Sequence, residues 1–133
     1  MVLTQFWDYS PARGPANSWT IHGLWPDNCD GSFSSACDRA REYPNPAQIL
    51  EDYNQTALLN YMRTYWKGDH GDENLWQHEF AKHGTCLSTL EPSCYGAEYT
   101  HGKELVDYMQ QAVDLHKKRD SYAVSFMRFP CNE

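Results

Sequence analysis

The spacing of apolar positions changes several times along the chain, and each change marks an element. Residues 2–7 are β-branched and aromatic and predict a strand. The turn-rich stretch Ser10-Pro11-Ala12-Arg13-Gly14-Pro15 breaks it, and residues 18–22 return as a second strand that Gly23 and Pro26 bring to an end. Residues 28–43 show no apolar period and predict a loop. Ile49, Tyr53, Ala57, Tyr61 and Tyr65 then recur every fourth residue, flanked by Leu50, Leu58, Met62 and Trp66. That broad stripe predicts one helix, from an Asn45 N-cap with Pro46 in its first turn to Lys67-Gly68, packed on the core. A polar turn over 69–74 leads into a second helix ending at Gly84, read as a glycine in the left-handed stop position. Leu105, Tyr108, Met109, Ala112, Val113 and His116 line one side of a third helix over 98–118, and residues 122–129 have strand propensity.

The chemistry concentrates in Leu75-Trp76-Gln77-His78-Glu79-Phe80-Ala81-Lys82-His83-Gly84-Thr85-Cys86. On a helix, Glu79, Lys82 and His83 share a face, because positions three and four apart are neighbours. A carboxylate, an ammonium and an imidazole on one patch can move protons and stabilise an anion. A charged face is also what any solvated helix presents, so this stretch alone does not decide. The zinc-protease helix needs histidines four apart, whereas His78 and His83 are five apart, which turns the second ring roughly 100° further round. No metal or other cofactor is expected.

Composition narrows the class. The 133 residues suit a single domain, and five Trp, nine Tyr and five Phe imply a core and cleft built on rings. No apolar run approaches the ~20 residues of a membrane span, and Met1 stands directly before strand-like sequence, so the start reads as cut. Five cysteines without a C-x-x-C spacing argue for disulfides and an oxidising compartment, with at least one thiol unpaired or paired outside this chain. Asn54-Gln55-Thr56 is an N-glycosylation sequon, in keeping with secretion. The formal charge of −7 argues against indiscriminate nucleic-acid binding, but protonating the six histidines would offset six of those charges in acid.

Ile21-His22-Gly23-Leu24-Trp25-Pro26-Asp27, followed by His78-Glu79-Phe80-Ala81-Lys82-His83-Gly84-Thr85-Cys86, resembles the two active-site segments of the ribonuclease T2 family. The wording Gln5-Phe6-Trp7-Asp8 and Asn28-Cys29-Asp30-Gly31 is most similar to its fungal members, and roughly residues 2–120 follow the pattern. The resemblance implies an α+β fold, with a mostly antiparallel central sheet flanked by helices. It implies endonucleolytic cleavage of single-stranded RNA by transesterification to 2′,3′-cyclic phosphates, without cofactor, DNA or membrane, by a secreted or vacuolar monomer. His83 matches the family's general base and His22 its general acid. Glu79 and Lys82 match the residues that stabilise the phosphorane, and His78 a phosphate-binding residue. Trp25 and Asp27 match the base site; Phe33 stands near a position where many fungal members have tyrosine. The same pattern pairs Cys37 with Cys86.

The chain also departs from the family. The family's cysteine-rich N-terminal segment is absent, so Cys29 and Cys94 are expected to be free or joined to each other. Residues 121–133 do not align and end with an extra Cys131. Part of the C-terminal sheet is therefore expected to be lacking, and the domain to be partial. Two functions from different classes follow: an acid endoribonuclease, or a catalytically weak secreted relative that binds RNA or acts as an effector. A metal-dependent hydrolase ranks last.

Overall fold

The computed structural model describes residues 1–125. Two strands, β1 (Val2–Phe6) and β2 (Thr20–Trp25), form an antiparallel two-stranded sheet. Helices α1 (Pro46–Asp52), α2 (Thr56–Tyr65), α3 (Asp72–Lys82), α4 (Lys103–Lys118) and α5 (Ser121–Ser125) follow, with 3₁₀ turns at 39–41 and between 84 and 98. The architecture is α+β, as expected.

The second strand runs on to Trp25, past the glycine expected to stop it. Its register explains why. Thr4 pairs with Gly23 and Gln5 with Ile21, leaving His22 as an extra residue without a partner. Such a bulge reverses the side-chain alternation beyond it. Ile21 and Leu24, three apart, consequently both enter the core at 0% and 1% exposure, while His22 stays half-buried.

Helix α4 is the central support. Its predicted face, from Leu105 to His116, is buried throughout, and it packs on β2, α1 and α2. It begins at Lys103, later than expected, because Gly102 before it is left-handed (φ 85°), which a helix interior excludes. The predicted helix over 46–67 is two helices. Asn54 sits at φ 56° between them, a conformation Asn tolerates and a helix does not. Of the every-fourth set only Ile49 is buried; the flanking Leu50, Leu58, Met62 and Trp66 are all buried, joined by Leu59, and Ala57 is exposed.

The end of α3 also differs. Gly84 is not left-handed: the helix stops at Lys82, His83 caps it, and Gly84 opens a 3₁₀ turn. Glycine is needed there for space, since a Cβ would lie 2.5 Å from the Phe80 ring. The strand expected over 122–129 is helical at its start, where α5 lies, and 126–129 fall outside the described residues, as does Cys131.

Candidate active site

Strand β2 and helix α3 meet along a seam that brings four of the expected residues together. Glu79, 1% exposed, is the hub. Its Oε1 lies 3.4 Å from His22 Nε2, and its Oε2 accepts a 2.8 Å hydrogen bond from Trp25 Nε1. The same Oε2 is 4.0 Å from His83 Nε2. The rings form a continuous stack: Phe6 lies parallel to His22 at 4.2 Å, His22 meets Trp25 edge-on, and Trp25 lies over His83 at 4.7 Å and 16°. Gly23 makes this approach possible, because a Cβ there would come within 1.9 Å of Glu79 Oε2.

The core fixes these groups through buried polar contacts. Trp66 donates its indole N–H to the His22 carbonyl at 2.8 Å, and Trp76 donates to the Trp66 carbonyl at 2.9 Å. Tyr108 of α4 accepts from Leu24 N–H at 3.2 Å, donates to the Leu24 carbonyl at 3.0 Å, and lies 3.4 Å from the Glu79 carbonyl. One hydroxyl thus pins β2 and α3 to the same helix. The segment after α3 is held from the other side. Ala36 N–H donates to the Lys82 carbonyl, Cys37 N–H to Thr85 Oγ1, and Arg41 Nη2 to the Thr85 carbonyl. The Cys37–Cys86 disulfide closes that clamp, as the family resemblance implied.

Electrostatics separates the two kinds of group. Burial alone would raise the Glu79 carboxyl, but contacts from His22 and Trp25 and the histidine charges outweigh it and hold it below its ordinary value. Burial pushes the His83 imidazole down, and the charges of Lys82 and His78 act in the same direction against Glu79 and Asp27. His83 is 3% exposed, and neither ring nitrogen has a hydrogen-bond partner. The surroundings thus favour the charged form of Glu79 and the neutral form of His83.

The remaining expected residues are less closely gathered. Lys82 ends α3, half-buried beside His83, and Asp27 is half-buried just beyond Trp25. His78 is exposed and lines a cavity of about 440 Å³ with Phe6, Trp7, Arg13 and His70. Phe33 is 61% exposed and takes no part in the ring stack. Asn54 is exposed in the turn between α1 and α2; Cys29 and Cys94 are free and exposed. Phe6 and Tyr108 were missed as site residues. Phe6 reads only as a strand residue, and the sole hint in Tyr108 is a hydroxyl on an otherwise apolar stripe. Among the described residues, no group of three or more His, Cys, Asp or Glu side chains is arranged to hold a metal ion, and no helix is long and apolar enough to cross a membrane.

The α+β scaffold thus buries a carboxylate between two imidazoles. The sequence profile of the ribonuclease T2 family matches residues 1–125, and the chain belongs to that family. It is 55% identical to ribonuclease T2 of Aspergillus oryzae over 92% of its own length and 44% of that protein's. It is 54% identical to ribonuclease M of Aspergillus phoenicis, over 92% of this chain and 52% of that one. The crystal structure of Actibind, described as a T2 ribonuclease, superposes with a TM-score of 0.84 at 55% identity, covering 91% of this chain and 52% of that chain. The chain thus spans about half the length of these relatives.

Proposed function

We propose that this chain carries the active site of an endonuclease that cleaves single-stranded RNA by transesterification. The observation that carries the reading is the Glu79 carboxylate, in reach of His22 on one side and His83 on the other. RNA supplies its own nucleophile, so such a site needs a base, an acid and groups that stabilise the phosphorane, with no metal required. His83 removes the ribose 2′-hydroxyl proton. The 2′-oxygen attacks phosphorus, and the bond to the 5′-oxygen breaks. His22 protonates that leaving oxygen, giving a 2′,3′-cyclic phosphate and a free 5′-hydroxyl. Each transfer is worth ~10²–10⁴-fold in rate.

Lys82 stabilises the negative charge on the pentacoordinate phosphorus, Glu79 orients the two imidazoles and stabilises their protonated forms, and His78 holds phosphate at the cavity rim. Trp25 and Asp27 take the nucleobase, the ring by stacking and the carboxylate by accepting from an exocyclic amine. DNA, lacking the 2′-hydroxyl, is inert. The sequon at the exposed Asn54 and the Cys37–Cys86 disulfide support a glycosylated protein that is secreted or vacuolar, and we take it to be a monomer.

The test is incubation with RNA in EDTA between pH 4 and 7. Cyclic-phosphate products that disappear in His22→Ala and His83→Ala are expected. RNA bound but uncut would replace the enzyme with a binding protein, and cleavage abolished by EDTA would replace the mechanism.

A further inference from the structure

The proposed reaction, on which this inference rests, meets an obstacle in the ring stack. A general base must come within about 2.6–3.2 Å of the proton it removes. Yet both ring nitrogens of His83 are buried, and the Trp25 indole covers the imidazole face to face. Something has to move, and the surroundings show which group can. His83 cannot swing out with its segment, because Ala36, Cys37, Arg41 and the disulfide clamp residues 82–86. Glu79 is enclosed at 1% exposure in the middle of α3. Trp25 is the last residue of β2, half-buried, with its indole N–H held by one bond to Glu79 Oε2.

We propose that Trp25 is a gate that keeps His83 covered until a nucleobase takes the indole. One face of the indole lies on the imidazole, and in this proposal the nucleobase takes that face, so base and imidazole compete for one ring. When the indole leaves, its N–H also leaves Glu79 Oε2, the oxygen that faces His83. One movement therefore uncovers the base and frees the carboxylate beside it. Base recognition then acts on turnover as well as on binding, because only a stacked base populates the competent arrangement.

Diethyl pyrocarbonate labelling of the imidazoles, resolved by peptide mass spectrometry, tests the gate without any turnover. Exposed His70 and His78 report open rings, and buried His116 reports that the fold is intact. In the wild-type chain His83 should react about ten- to a thousandfold more slowly than His78, as befits a minor open state. Trp25→Ala should bring His83 within about tenfold of His78 while His116 stays slow, and Trp25→Phe, which keeps a ring but loses the N–H bond, should fall between. Wild-type His83 reacting as fast as His78, or remaining slow in a folded Trp25→Ala chain, would overturn the proposal. If that substitution unfolds the chain, the wild-type and Trp25→Phe rates decide. A second arm compares a ribonucleotide substrate with one whose scissile phosphate follows an abasic ribose. The wild type should lose kcat without the base, and Trp25→Ala should lose that dependence; equal kcat on both substrates in the wild type overturns the gate. Absence of any cleavage by the wild type would refute the ribonuclease reading, while the labelling rates still decide the gate.

Discussion

The seam between β2 and α3 and the loop that leaves it, residues 26–38, are built by opposite means. In the seam polar groups are tied to other elements: the His22 carbonyl to Trp66, Leu24 to Tyr108, and Glu79 to Trp25, with the His83 ring enclosed beside them. The loop ties mostly to itself. Asn28, Asp30, Gly31 and Ser32 exchange hydrogen bonds in solvent, and the backbone reaches the end of α3 at Ala36 and the turn after it at Cys37. Phosphate chemistry tolerates little misplacement, on the order of 1 Å for ~10²-fold in rate, so its groups belong on the rigid side. Reading a base draws on both sides of the boundary: Trp25 is the last residue of the seam strand and Asp27 stands just inside the loop.

The largest effects should therefore come from the seam. His83→Ala and His22→Ala should each reduce single-turnover formation of cyclic phosphate by ~10²–10⁴-fold, with little change in RNA affinity. The double variant should lose much less than the product of the two, because the residues act as a unit. Fully additive losses would mean that the histidines do not share one reaction.

Next comes the bond that joins the two regions. Cys37 and Cys86 close a loop with a sequence separation of 49. Replacing both with serine should cost about 2–5 kcal/mol in denaturant unfolding. If the clamp serves the seam, kcat measured well below the melting temperature should fall too. An unchanged kcat would leave Arg41 and the backbone bonds as sufficient.

How much of this was readable from sequence follows the same division. The patch of Glu79, Lys82 and His83 is local, set by helical spacing, and His22 is marked by the wording around it. What brings them together is not local. The bulge at His22 exists only in register with β1, and the Tyr108 hydroxyl serves β2 from a helix more than eighty residues away. The break at Asn54 was hidden because the apolar stripe continues through it, so periodicity alone reports one helix. Gly84 was misread because a glycine after a helix has two uses, and here Phe80 demanded room.

A smaller effect tests burial itself. His83 and His116 are both held below the ordinary histidine value, chiefly by desolvation. Below pH ~6.5 the unfolded chain takes up protons that the folded chain refuses, so stability should be full above that pH and fall as pH drops through the window between the two values. Glu79 shifts the opposite way for its charge type: its lowered carboxyl contributes stability above its unfolded value, lost only as pH falls through its folded one. Melting temperatures between pH 8 and 5 should therefore decline toward acid, and His83→Gln should flatten part of that slope. A flat or rising profile would mean that these rings are solvated.

The smallest effect belongs to the loop, and it is the one most able to redraw the comparison. Phe33 is 61% exposed, so Phe33→Ala should alter stability by less than about 0.5 kcal/mol. If the loop keeps this arrangement with RNA bound, cleavage of adenine- and pyrimidine-containing dinucleotides should change by no more than about two- to threefold. A base stacked on an aromatic ring is worth ~1–3 kcal/mol, which would appear as roughly a five- to hundredfold loss for the affected base. A loss of that size with an unchanged melting temperature would show that residues 28–35 fold onto the nucleobase. The loop would then be the adjustable wall of the site, and Phe33 and Trp25 its two stacking faces.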